Sequence, residues 1–110
     1  MDFEIVSRHM EMTPATRDFV AKRAEKLQKF FDRIHALKVI ITADGANYQV
    51  EFVAHLVKKN MVIAKDGAGD LFTAIDATAD KLENELRRYK EKLRGHRTKG
   101  DEKAPAEGAE

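Results

Sequence analysis

The sequence has no cysteine and no tryptophan, and it has only 2 prolines. Without cysteine the chain can form no disulfide, no thiolate metal site and no thiol nucleophile. Long apolar runs are absent too, since no segment approaches the ~20 apolar residues of a membrane-spanning helix. The first ten residues also lack the basic stretch and apolar run of a secretion signal. We therefore expect one soluble, cytoplasmic domain with no membrane partner.

Groups of residues that carry chemistry are equally scarce. The histidines are His9, His35, His55 and His96. No two of them have the i, i+4 spacing of helical metal ligands, and no nucleophile stands at a recognisable spacing from a base. We expect no enzyme activity, no metal, no cofactor and no small-molecule substrate.

The overall charge gives little indication of a partner. The formal net charge is +1, and residues 95–110 contain three basic and four acidic side chains. Residues 1–94 therefore hold 17 basic and 15 acidic side chains, a net charge of +2. A polyanion could be recognised only if the positive charges cluster on one surface.

A long amphipathic helix is predicted from Asp70 to Arg94, with Asp70 as its N-cap. Its apolar residues fall in one sector at 100° per residue. They are Leu71, Ile75, Leu82, Leu86, Tyr89 and Leu93, with Thr78 and Ala79 at the edges. A basic row occupies one flank and consists of Lys81, Arg88 and Lys92. Asn84 lies in the same strip and Glu85 lies between the strip and the apolar sector, whereas Arg87 and Arg94 point to the other flank.

An earlier helix is predicted from Pro14 to about Phe31, capped by Thr13 and started by proline at its first position. Its apolar face consists of Val20, Ala24, Leu27 and Phe31, flanked by Phe19 and Phe30. A second basic row, within a sector of about 60°, consists of Lys22, Lys26, Lys29 and Arg33. Arg23 points from the opposite edge, beside the apolar face.

Alternating apolar and polar residues predict four strands. They cover residues 3–8, 37–43, 48–57 and 61–65, and residues 66–69 are predicted to end the last of them. The fold class is therefore α+β, in the order β-α-β-β-β-α, with a four-stranded sheet and two roughly parallel helices on one face. The predicted domain covers residues 1–94. Residues 95–110 have no apolar period and are predicted to be a disordered charged tail.

Parallel helices would turn both basic rows to the same side of the molecule, because each row lies about a third of a turn from its apolar face in the same sense. One row would line the groove between the helices and the other the outer flank. Such a composite surface suits phosphates, which reward clustered lysine and arginine by counterion release. An isolated charged row on a helix is more often only solvated surface.

Three segments resemble the ribosome hibernation-promoting factors and ribosome-associated inhibitors of bacteria. They are residues 10–20 (MEMTPATRDFV), residues 26–34 (KLQKFFDRI) and residues 70–76 (DLFTAID) followed by Lys81-Leu82. The resemblance spans residues 3 to 94 in order. It implies a fold similar to double-stranded RNA-binding domains, in agreement with the predicted order of elements.

The resemblance also implies a function and a set of contacts. Members of this family bind the small ribosomal subunit in the channel for messenger and transfer RNA, which blocks translation and protects idle ribosomes. Carried over by position, the rRNA-binding residues would be Arg23, Lys26, Lys29, Lys81, Arg88 and Lys92. Lys22 and Arg33 join them on the helical-wheel argument alone. We expect a monomeric partner of the ribosome.

Two features separate this chain from the family pattern. Asn84 and Glu85 stand where arginine and glutamine are common, which weakens the second basic row. Residues 95–110 have the length of an inhibitor-type tail but no aromatic and no strong acidic run. The alternative class is a small protein-binding adaptor that uses the open face of the sheet, where Ile40, Val53 and Val57 are predicted to lie.

Overall fold

The computed structural model describes residues 1–98, with side chains described to Leu93. Its elements follow the predicted order. They are β1 (Asp2–Arg8), α1 (Pro14–Phe30), β2 (Ile34–Asp44), β3 (Asn47–Leu56), β4 (Met61–Ala68) and α2 (Leu71–Thr98). A short 3-10 turn, Val57–Lys59, joins β3 to β4.

The strands form one four-stranded sheet in the order β1-β2-β3-β4. β1 pairs with β2 in parallel, and the crossover between them contains α1. β2 with β3 and β3 with β4 are antiparallel hairpins. This topology confirms the predicted α+β class, a mixed sheet with two helices.

α1 begins where the sequence predicts. The Thr13 hydroxyl oxygen accepts a hydrogen bond from the Thr16 backbone N–H at 3.1 Å, and Pro14 follows in the first helical turn. All four residues of the predicted apolar face are buried, together with Thr16. The apolar period of 3.6 residues thus fixes which side of α1 lies on the sheet.

α2 packs its apolar sector mainly on β3 and β4. Ile75, Leu82 and Leu86 are fully buried, and Tyr89 is half-buried. The Tyr89 hydroxyl accepts a hydrogen bond from Asn60 Nδ2 at 2.8 Å, at the turn that precedes β4. One turn further, Leu93 is 38% exposed, because α2 continues past the end of the sheet.

Contacts between the helices show that α1 and α2 run in the same direction. Phe19 meets Phe72 near the two N-termini, and Lys90 meets Phe30 near the end of α1. Arg23 meets Asp76 and Asp80 between these two contacts. The predicted parallel arrangement is therefore observed.

Several element boundaries differ from those predicted. β2 begins at Ile34, three residues before its predicted start. β3 ends at Leu56, so Val57, predicted to lie on the open face of the sheet, is in the 3-10 turn instead.

β4 includes residues 66–68, because they pair with residues 48–50 of β3. α2 continues to Thr98, four residues beyond the predicted domain boundary at Arg94. The rest of the predicted tail, residues 99–110, lies outside the described residues. Neither described helix is both long and apolar enough to cross a membrane.

Candidate nucleic-acid interface

The basic row of α1 lies on the exposed side of the helix. Lys22, Lys26, Lys29 and Arg33 are all exposed. Within the described residues none of them has an acidic partner within 4.0 Å. Lys22, Lys26 and Lys29 lie on α1, whereas Arg33, predicted on the same helical row, lies in the turn after the helix, because α1 ends at Phe30. These four cations, which form no ion pairs with carboxylates of the described residues, can meet the phosphates of a polyanion directly.

Arg23 has a different environment, although the resemblance groups it with this row. Its guanidinium nitrogens lie 3.3 Å from Asp76 Oδ1 and 2.8 Å from Asp80 Oδ1. The Arg23 side chain is only 20% exposed, and its Nε atom is buried without a partner in the described structure. Arg23 thus joins α1 to α2 through two carboxylates.

Aromatic side chains occupy the rest of the groove between the helices. The Phe19 and Phe72 rings meet edge to face, with centroids 4.8 Å apart. At the other end Phe30 lies under Arg87, whose guanidinium carbon is 5.3 Å from the ring centroid, and under Lys90, whose ammonium is 4.8 Å from it. The contacts across the groove are therefore made by these aromatic side chains and by Arg23, and none of those described involves an α1 lysine.

Arg87 and Lys90 of α2 add positive charge beside α1, which the sequence did not indicate, although Arg87 also forms an ion pair with Glu83 at 3.3 Å. Arg87 was predicted to point away from the α2 basic row, and that flank is the one that faces α1. Phe30, which both cations contact, is the last residue of α1 and lies within the same two turns as Lys26 and Lys29. The signal for this grouping is the parallel packing of the helices, which turns that flank of α2 toward α1.

The cations of the α2 basic row have more partners within the protein than those of the α1 row. Lys81 Nζ donates to the backbone carbonyl of Lys65 at 2.8 Å, so this flank faces the β4 edge of the sheet. Arg88 forms an ion pair with Glu85 at 2.8 Å. Lys92 is exposed and has no ion pair within the described part of the chain.

The eight predicted residues therefore do not form a single uniform surface in the structure. Lys22, Lys26 and Lys29 are exposed on α1 and Arg33 is exposed in the turn after it. Arg23 is held in the groove, and Lys81, Arg88 and Lys92 lie on the outer flank. Acidic residues of α2, Asp76 and Asp80, separate the two rows. A polyanion on this side of the molecule would meet α1 first.

The fold and this basic helix layer define a class: small α+β proteins that place two parallel helices on one face of a mixed four-stranded sheet. Residues 3–94 match the model of the family described as Sigma 54 modulation protein / S30EA ribosomal protein. The chain belongs to this family, which confirms the resemblance found in the sequence.

Relatives and a solved structure support the same assignment. The chain is 32% identical to a ribosome hibernation promoting factor of Klebsiella oxytoca over 96 residues, covering 87% of this chain and 100% of that protein. It is 35% identical to one of Azotobacter vinelandii over 92 residues, covering 84% of this chain and 85% of that protein. The Thermus thermophilus Protein Y N-terminal domain superposes with a TM-score of 0.73 at 29% identity, covering 81% of this chain and 99% of that domain.

Proposed function

We propose that this chain is a ribosome hibernation factor that binds the small ribosomal subunit through rRNA phosphates. The observation that carries the proposal is the set of four exposed cations, three on α1 and Arg33 in the turn just after it, which have no ion pair among the described residues. Family membership supplies the partner, since the relatives are named ribosome hibernation promoting factors.

Binding would block translation by steric exclusion. A single copy seated in the channel for messenger and transfer RNA excludes both RNAs and protects the idle ribosome. The protein acts in the cytoplasm as a binding protein, without a catalytic step, a cofactor or a small-molecule substrate. Lys22, Lys26, Lys29 and Arg33 make the primary contacts.

Contacts of α2 come second in this proposal because they require an exchange of partners. Arg88 must leave Glu85, Arg87 must leave Glu83, and Lys81 must leave the carbonyl of Lys65. Each exchange is inexpensive, since exposed ion pairs contribute about 0.2–1 kcal/mol. Lys92 can contact a phosphate without such an exchange, whereas Asn84 contributes no charge.

Reversing two charges of the α1 row tests the proposal. The variant Lys26→Glu with Lys29→Glu should fold normally, because both side chains are exposed and lie outside the apolar sector. Its affinity for ribosomes should fall sharply. The slope of log affinity against log salt should flatten by roughly 0.7–0.9 for each phosphate that the variant no longer neutralises.

The matched control reverses two lysines of the turn before β4, Lys58→Glu with Lys59→Glu. This control changes the net charge by the same amount but leaves α1 intact, and its salt slope should stay near that of the parent chain. An equal decrease in affinity for both variants would mean that net charge, and not the α1 row, governs binding. Unchanged binding in the α1 variant would refute the site.

A salt-independent association with ribosomes would favour the alternative class, an adaptor that binds protein through the open face of the sheet. Contacts between apolar side chains release few ions, so their affinity depends little on salt. Circular dichroism of each variant checks that the fold is retained.

A further inference from the structure

The face of the sheet opposite the helices carries an ordered pattern of apolar and charged side chains. Side chains alternate along each strand, so the neighbours of the buried Leu37, Val39 and Ile41 point to this open face. An apolar stripe crosses it from one edge to the other. Its members are Val6, Ile40, Val53 and Ile63.

At the centre of this face four residues form a square. Lys38 pairs with Val53 across β2 and β3, and Ile40 pairs with Glu51 one step further along. The apolar residues occupy one diagonal of the square, and the two opposite charges occupy the other. Ile63, next to Val53 on β4, is 46% exposed, and Val6 extends the stripe on β1.

Opposite charges are cross-strand neighbours on this face, since Glu4 lies opposite Lys38 and Glu51 opposite Lys65, but they are not joined in ion pairs. Glu4, Lys38, Glu51 and Lys65 form no ion pair within 4.0 Å among the described residues. They sum to zero, so this face does not attract a polyanion as the helix layer does. Its complement must instead offer an apolar stripe flanked by one acid and one base.

The open sheet face itself has these features, so it can pair with the same face of a second copy. A two-fold axis that lies in the face along the apolar stripe brings each charged corner of the square close to the position of the other. In a face-to-face pair, Lys38 of each copy then lies over Glu51 of the other, and the apolar stripes meet along the axis. The same patch contacts itself, as an isologous interface requires.

We propose that the free protein pairs with a second copy of itself through this open sheet face. The paired form differs from the monomer expected from the sequence, and it does not depend on the proposed ribosome binding. Both helix layers remain on the outside of the pair, so the contact buries none of the α1 row.

The pair is expected to be weak. Strands about 4.8 Å apart give a four-stranded face only a few hundred Å² per copy, below the roughly 800 Å² per partner of stable interfaces. Dissociation should therefore occur as the protein is diluted through the micromolar range. Two reciprocal ion pairs at the interface then set the specificity of pairing more than its strength.

The experiment is sedimentation velocity of the full chain across a concentration series, with two charge-reversal variants. Lys38→Glu alone makes both facing pairs acid against acid, and Glu51→Lys alone makes both facing pairs base against base. Each variant should dimerise at least about 10-fold more weakly than the parent chain. An equimolar mixture of the two variants should dimerise again, because every facing pair then has opposite charges.

The matched control uses Glu4→Lys and Lys65→Glu, which make the same charge changes on the same face but outside the central square. These variants should weaken dimerisation less, and their mixture should restore it less. Recovery in the first mixture also shows that both variants are folded. Dimers that resist Lys38→Glu would place the interface elsewhere, and a chain that stays monomeric at the highest concentration overturns the proposal. Capture of an unrelated protein by this face without self-pairing would equally overturn it.

Discussion

Arg23 and Arg33 show how the position of one side chain decides the role of an arginine at α1. Arg33 is exposed and forms no ion pair among the described residues, whereas Arg23 lies between two carboxylates of α2. The first is available to a phosphate, and the second joins the helices. The resemblance implies an rRNA contact for Arg23, and the geometry gives it a structural role as well.

Removing the charge of Arg23 should therefore affect stability more than binding. Arg23→Met removes two partly exposed ion pairs and leaves Asp76 and Asp80 facing each other one turn apart. The free energy of unfolding should fall by about 1–2 kcal/mol. Chemical denaturation measures this decrease, and the salt slope of ribosome binding should stay near that of the parent chain.

Arg33→Met is the matched comparison, since it removes the same group from an exposed position. Its unfolding free energy should change by less than about 0.5 kcal/mol, whereas its salt slope should flatten. The opposite result, with Arg33 affecting stability and Arg23 affecting only the salt slope, would exchange the two roles.

Prediction from sequence succeeded for side chains whose environment depends on their own helix. The apolar period placed Val20, Ala24 and Leu27 in the core and left Lys26 and Lys29 exposed. It could not provide the acidic partners of Arg23, because those carboxylates are more than 50 residues away and are positioned by helix packing.

The boundaries of the helices and strands also depend partly on local contacts and partly on contacts between distant residues. Thr13 and Asp70 mark the starts of the helices, because a cap is a local hydrogen bond. The end of β4 was missed, since residues 66–68 contain a glycine and extend the strand only by pairing with β3. Likewise, the end of the sheet under Tyr89 leaves Leu93 more exposed than its helical phase predicts.

The start of α2 makes a prediction about pH. Asp70 Oδ2 accepts hydrogen bonds from the Thr73 backbone N–H and the Thr73 hydroxyl, each at 2.9 Å. Both hydrogen bonds lower the pKa of Asp70 below its ordinary value of 3.8, and the one from the backbone N–H has the larger effect. The charged cap therefore adds stability above that ordinary pKa, and the added stability disappears as the pH falls through the lower pKa of the folded state.

Asp70→Asn should show this dependence in thermal denaturation. Asparagine keeps a cap oxygen but no charge, so the variant should melt below the parent chain at about pH 6. The two melting temperatures should converge well below pH 3.8, where the parent carboxyl is also neutral. A difference that persists unchanged at low pH would show that the charge of Asp70 is not its cause. Asp70→Ala, which also removes the cap oxygen, should melt lower at every pH.

On the scale of the whole molecule, the fold separates two surfaces with different chemistry. The helix layer carries an exposed cationic row, whereas the open sheet face has balanced charges around an apolar stripe. A net charge of +1 conceals this separation, because it averages over both faces. The sequence predicted the cationic row from helical phase. The square on the sheet face required the strand register.

Binding to isolated small ribosomal subunits over a range of salt concentrations is the most direct test of the central claim. The α1 row alone should give a log–log slope of about −3, since four phosphate contacts each contribute roughly 0.7–0.9. Binding should be tight at low salt, weaken along this slope and be much weaker to isolated large subunits. A slope near zero, or equal affinity for both subunits, would contradict the account.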